Sequence, residues 1–277
     1  MDSGRRAWII AAALTLANPL LHKTVSDVCD WARGRWGFTL YDRTALIAIP
    51  VFSVLAVAPL LARHRRLLVR PLPIGILVVL TALTIAAQRW LLVANIELIH
   101  FPQFALLAVV LLAAGWSGPA AYLASTAAGV LDETYQHLVV YAGVQDTYFD
   151  VNDIVLNAIG AAWGVVLFAD VFHRTSASLD SSPLAGDSPS PAPATEGPSR
   201  WLSWPRVAAL MLIALLVALW LDPPHFTPLL RTIPSGRLMY RVMSTAEGLV
   251  VCTCIWGLVA FRVRRMPTRA APSIASV

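Results

Sequence analysis

Glu97 and His100 stand three residues apart, and Gln103 follows three later, so a helix carries all of them on one face. Farther along, Asp132, Glu133, Gln136 and His137 crowd one short stretch, with Asp132–Gln136 and Glu133–His137 each one helical turn apart. A third group, Asp150, Asp153 and Asn157, shares a face with Gly160 one turn beyond. These residue types do proton chemistry and bind polar groups. An imidazole ordinarily changes charge within the physiological range, and a carboxyl beside a second carboxyl in a low-dielectric setting suits acid or base work. His100, Glu133 and Asp153 are therefore the expected catalytic groups, and Glu97, Asp132, Gln136, Asp150 and Asn157 the expected binding groups. Asp153 also fits an N-terminal helix cap.

These polar residues are set in apolar helices. The 277-residue chain is 57% hydrophobic and 13% charged, whereas a soluble domain carries about 25% charged residues. Apolar runs such as Ala45 to Ala62, Ile74 to Ala87 and Val207 to Leu221 suit a hydrocarbon layer about 30 Å thick. The expected fold is all-α, a polytopic transmembrane bundle of about eight spans. The spans run Ala7 to Leu21, Thr44 to Ala62, Leu72 to Ala87, Ala94 to Gly115, Pro119 to Val140, Asp153 to Phe172, Arg206 to Leu221 and Ser244 to Phe261. Trp8, Trp90, Trp116, Trp201, Trp204 and Trp220 fall near span ends, as aromatic belts do.

The first run follows Arg5 and Arg6 as a signal peptide would, but small-residue cleavage sites are poor and Asn18-Pro19 closes the segment, which favours a retained helix. Val25, Val28, Cys29, Ala32 and Trp36 alternate with Asp27, Asp30 and Arg33 at helical spacing, predicting an interfacial helix before the second span. Pro102 cannot donate to the Leu98 carbonyl, which predicts a kink or a free acceptor near His100. Three cysteines build no disulfide framework, and Cys252 and Cys254 read as small apolar groups.

Four regions follow: an N-terminal helix pair over 1–71, a core over 72–173, a disordered Ser/Pro/Ala linker over 174–205, and a C-terminal helix pair with a basic tail over 206–277.

The net charge of +5 resides at helix ends rather than on one soluble face, so it orients the chain in a membrane and excludes nucleic acid as the expected partner. Arg5, Arg6, the dense Arg63 to Arg70 loop, Arg262, Arg264 and Arg265 predict cytoplasmic N- and C-termini. In that orientation the three polar groups share the outer leaflet. An ionisable side chain in mid-bilayer costs about 2.5–3.5 kcal/mol on insertion scales, so such groups are expected to face one another or a wet interior. Interhelical hydrogen bonding alone, at about 0.6 kcal/mol per pair, is the competing scaffold explanation.

The segments Glu97-Leu-Ile-His100-Phe101, Gly129-Val-Leu-Asp132-Glu133-Thr-Tyr-Gln136 and Asp150-Val-Asn-Asp153-Ile-Val-Leu-Asn157-Ala-Ile-Gly160 resemble, in order and spacing, the signature elements of the VanZ-like family. The resemblance spans roughly Leu72 to Phe172. Phe104 stands where the family often has Tyr, and the region of Thr147 lacks the family's frequent Arg. The resemblance implies an envelope protein linked to glycopeptide resistance, with membrane lipids, a lipid-linked cell-wall precursor or the glycopeptide itself as partners.

Other classes remain open at this level. A membrane hydrolase or transferase would use the same carboxylates. A metal would call for a second Glu-x-x-His copy, which the sequence lacks, so neither metal nor cofactor is expected. Arg63, Arg70-Pro71 and Pro234-Ser235-Gly236 resemble pieces of a lipid phosphatase signature, but Arg237 replaces its His and the pieces fall on opposite faces. A transporter would show internal repeats and broken helices at mid-membrane, and apart from Pro102 neither is evident.

Overall fold

The computed structural model describes residues 3–63, 74–143, 149–179, 229–231 and 240–264. Helix α1 is Ser3–Trp36, α2 is Phe38–Arg63 and α3 is Ile74–Trp90. A 3-10 turn, Asn95–Ile99, leads into α4, His100–Ala113. Helix α5, Gly118–Tyr135, widens into a π turn over Gln136–Val140, and α6 is Val151–Leu179. A short antiparallel pair, β1 (Leu229–Arg231) and β2 (Tyr240–Val242), precedes α7 (Thr245–Arg264). Among the described residues, that pair is the exception to helical structure.

Helix α6 is the hub, because its small and β-branched residues allow neighbours on several sides. Ala158, Ala161, Ala162, Val165 and Val166 are all fully buried. A Cβ on Gly160 would lie 2.5 Å from the Phe101 carbonyl oxygen, and one on Gly164 would lie 2.4 Å from that of Ala105. Gly160 and Gly164 thus form a small-xxx-small seam on which the α4 backbone rests.

Local chemistry sets the helix ends. Gly115 adopts φ 91°, and the Trp116 and Gly115 amides donate to Leu111 and Leu112 carbonyls at 3.1 and 3.0 Å. This Schellman closure ends α4, and Pro119 in the first turn of α5 restarts the chain antiparallel. Gly37, at φ 76°, turns α1 into α2 in a single residue. Ser244 and Glu247 close a reciprocal capping box on α7, with the Glu247 amide donating to Ser244 Oγ at 3.3 Å and the Ser244 amide to Glu247 Oε2 at 3.0 Å.

Among the described residues, four helical segments are long and apolar enough to cross a membrane: Phe38–Pro59, Asn95–Ala113, Val151–Phe172 and Thr245–Arg264. Helix α3 is apolar but shorter, and α5 carries Ser125, Thr126, Asp132 and Glu133 in its 18 residues. The expected span Arg206 to Leu221 lies outside the described residues. Large apolar side chains point away from the core along α2, with Ile47, Phe52 and Leu55 at 65, 70 and 61% exposure, a surface suited to hydrocarbon rather than water.

Two expectations change. Helix α1 continues through Pro19, so the segment expected to lie separately in the interface extends the first helix. A proline removes only one backbone bond, and apolar surroundings offer no water to compete for the remainder. The composition break after α6 is likewise no break in packing. Helix α6 runs to Leu179, into the expected linker, while residues 180–205 lie outside the description. Beyond them α7 packs on α5 and α6: Ile255 and Val259 are buried, Tyr122 donates to the Cys252 carbonyl at 2.8 Å, and Arg262 pairs with Asp170 at 2.5 Å. Cys252 is buried as expected, but Cys254 is exposed on the outer face of α7.

Candidate functional site

Helix α5 runs antiparallel to α6, with Gly118 against Val165 and Gly129 against Asn157, while α4 lies parallel to α6, with Phe101 against Gly160 and Ala105 against Gly164, so α4 and α6 start, and α5 finishes, at one common end. The first turn there is tied down before any site chemistry. Asn95 is 1% exposed; its amide donates to Asp42 Oδ1 at 2.6 Å and its side chain to Asp42 Oδ2 at 2.7 Å, joining the turn to α2. Glu97 bends back onto its own loop, accepting from the Val93 amide at 2.9 Å and the Ala94 amide at 3.2 Å. Pro102 sits in the opening turn of α4, where its missing N–H is one that no intrahelical carbonyl would receive. The expected kink is replaced by a change from 3-10 to α winding at His100.

His100 reaches across to α6. Its Nδ1 lies 2.8 Å from Asn157 Oδ1 and its Nε2 lies 3.3 Å from Asp153 Oδ2. Asp153 and Asn157 are one turn apart, so consecutive turns of α6 grip the two ring nitrogens. The ring also stacks on Phe104, with centroids 6.4 Å apart. The His100 and Asp153 side chains are 12 and 16% exposed, so the pair is sheltered but open at an edge.

Asp150, not Asp153, caps α6. Its Oδ1 accepts from the Asn152 amide at 3.0 Å and the Asp153 amide at 3.4 Å. Asp153, in the first turn, is thereby released to face His100. Asn152 bridges two further elements, donating to the Leu91 carbonyl at 3.1 Å and accepting from the Met243 amide at 2.9 Å. The same side chain fixes the end of α3 and the entry to α7.

From α5 come Asp132, Glu133 and Gln136, with 3, 3 and 5% exposure. Gln136 Nε2 donates to Glu133 Oε1 at 3.0 Å and lies beside Asp132. Asp132 Oδ1 has no hydrogen-bond partner. Here the backbone widens: the Tyr141 amide donates to the Gln136 carbonyl at 2.8 Å, a π-type closure of the kind often found at functional sites. The extra residue per turn rotates His137 to meet Phe149 edge-on at 6.2 Å, rather than Glu133 as its spacing suggested.

Gly129 fixes the approach of α5, since a Cβ there would lie 2.7 Å from Asn157 Nδ2. That Nδ2 is buried and has no partner. The three polar groups therefore meet: Asp132 and Glu97 lie close enough to His100 to interact electrostatically, and Asp153 is similarly close to Glu97 and Glu133. Gln103 takes no part in these bonds.

Two participants were not singled out from the sequence. His22 of α1 lies 3.1 Å from the Tyr141 hydroxyl, with the rings edge-to-face at 5.9 Å, and Ser26 Oγ stands 3.5 Å from the same hydroxyl. His22 is within electrostatic reach of His100 and Asp153. The signal available was positional, since both residues lie just past the ends of apolar runs on the site side.

The arrangement couples a basic ring, a carboxylate and an amide on α4 and α6 to an acid and amide pair on α5. It can exchange protons and grip a polar group at the end of the bundle. Among the described residues, no group of three or more His, Cys, Asp or Glu side chains has the geometry to hold a metal ion. No protein-family model matches the chain, and neither a curated protein nor a solved structure matches it.

Proposed function

We propose that this chain is an integral membrane protein whose polar cluster binds or alters a lipid-linked or cell-surface molecule at the outer leaflet, as a VanZ-like envelope protein would. The observation that carries this reading is the placing of His100 between Asp153 and Asn157, within electrostatic reach of buried Asp132, which neighbours the buried Glu133–Gln136 pair. Burying polar groups in an apolar bundle is costly unless each is paired, and the unpartnered Asp132 Oδ1 and Asn157 Nδ2 favour a site that a ligand completes over a closed scaffold. His100 and Glu133 are the groups that exchange protons with the bound molecule, Asp153 and Asn157 hold the ring, and Asp132 and Gln136 contact the ligand.

The sidedness follows the positive-inside rule. Arg5 and Arg6 lie in the first turns of the first helix and Arg262 and Arg264 end the last, at the end of the bundle away from His100. With both termini inside and Arg206 to Leu221 adding a crossing, the full chain makes about eight passages.

The test compares lipid-linked cell-wall precursors, total lipids and glycopeptide susceptibility in a deletion strain complemented by wild type, Glu133→Gln or His100→Ala at equal protein levels. Both substitutions are expected to reproduce the deletion profile. Wild-type behaviour from both would overturn the reading and leave the cluster as scaffolding.

A further inference from the structure

Three carboxyl groups, Glu97, Asp132 and Asp153, act on His100, a fourth, Glu133, lies close to Asp132 and Asp153, and hydrogen bonds divide the four unequally. Glu97 spends its oxygens on two backbone amides, and Asp153 faces the imidazole. Glu133 receives one donor, from Gln136, on Oε1. Asp132, 97% buried, presents Oδ1 to no donor at all. It lies close enough to His100 and Asp153 to interact with both, so this vacant acceptor belongs to the same cluster.

Among the described residues, no Lys or Arg forms an ion pair with any of these four acids. Pairs formed elsewhere include Lys23 with Asp27, Arg33 with Asp30, and Arg262 with Asp170. One imidazole among four carboxyls, two buried and two half-buried, leaves an environment rich in acceptors and short of positive charge among the described residues. A native acceptor buried without a partner calls for a group that supplies one. An anionic phosphate would add repulsion and bring no donors. A quaternary ammonium would supply charge but no N–H. A primary ammonium brings one positive charge and three N–H donors.

We propose that the cluster recognises a primary ammonium group, with Asp132 Oδ1 as its main acceptor and Glu133 as the second. This rests on the reading of the cluster as a ligand site and names the chemistry of that ligand. The ammonium has two sources, the headgroup of an aminophospholipid or an amine on a soluble molecule.

The test titrates the purified full chain, in detergent, with phosphatidylethanolamine, phosphatidylcholine and phosphatidylglycerol of identical acyl chains, read by native mass spectrometry. A parallel arm uses hexylamine and hexyltrimethylammonium, read by thermal shift. Phosphatidylethanolamine is expected to bind about tenfold more tightly than the other two lipids, the advantage of a charge-assisted hydrogen bond. Asp132→Asn should abolish that preference, and Glu133→Gln should reduce it. A preference confined to the lipid arm identifies a headgroup site; one confined to hexylamine identifies a soluble amine. Equal binding of the three lipids with no response to hexylamine overturns the proposal, and the wild-type comparison decides this even if Asp132→Asn fails to fold. Preference for phosphatidylglycerol, weakened by His100→Ala, overturns the ammonium chemistry but keeps a ligand site. Indifference to every probe, together with wild-type phenotypes for Glu133→Gln and His100→Ala, removes both.

Discussion

At the residue scale, His100 is held as an orienting pair holds a catalytic ring, yet the two groups that hold it differ in what they contribute. Asn157 is fully buried and pinned by Gly129, so its carboxamide fixes the ring's orientation; Asp153 supplies charge at a partly open edge. Asp153→Asn keeps the shape and removes the charge. It should abolish the deletion-complementing phenotype while leaving the melting temperature of the purified protein little changed. Asn157→Leu removes an acceptor that a buried ring depends on, and should lower stability by about 1–3 kcal/mol in a detergent unfolding assay. Equal effects of the two substitutions on stability and phenotype would contradict this division of labour.

At the element scale, the positions of the helices depend on where side chains are missing. Gly160 and Gly164 let α4 rest directly on α6, and the loss of either gap pushes His100 away from its partners. Gly160→Leu should cost at least about 1–3 kcal/mol, the usual penalty of overpacking, and should shift the His100 resonances in NMR spectra of ring-labelled protein. Gly34 offers the contrast. It lies within α1 with nothing within 4 Å of an added Cβ. Gly34→Ala should stabilise the protein by about 0.5–1 kcal/mol, since alanine gives up less backbone freedom on folding. Asp150→Ala should cost about 1 kcal/mol through loss of the α6 cap, measured by thermal unfolding.

For the whole molecule, α7 is the clamp. It meets α6 near both ends, through Val151 against Gly248 and through Arg262 against Asp170, and Tyr122 of α5 bonds to its backbone between them. Arg262→Leu alone leaves a half-buried carboxylate without its partner and should destabilise by about 1–3 kcal/mol, whereas Arg262→Leu with Asp170→Leu should restore most of that loss. A double-mutant cycle on melting temperature measures the difference, and additive losses would show that the two residues act separately. Since the same helix begins at the site end, where Asn152 holds the Met243 amide, loosening this clamp should also weaken the site.

What the sequence alone determined is the helical, membrane-suited character of the chain and the identity of the groups that could do chemistry. Hydrophobic runs and residue spacing are local properties, and local properties can be read one helix at a time. Even the meeting of three helices was foreshadowed, because buried charges need company and the spans alternate in direction. Pairings across helices were decided by tertiary structure. Position alone made Asp153 the cap, but Asp150 holds that place and the docking of α4 gave Asp153 to His100. His137 matched Glu133 by periodicity until a π turn, set by packing at the end of α5, rotated it to Phe149. His22 and Tyr141 are 119 residues apart, and a contact at such separation depends on helix rotation and approach, which the small residues of α4, α5 and α6 permit but do not announce.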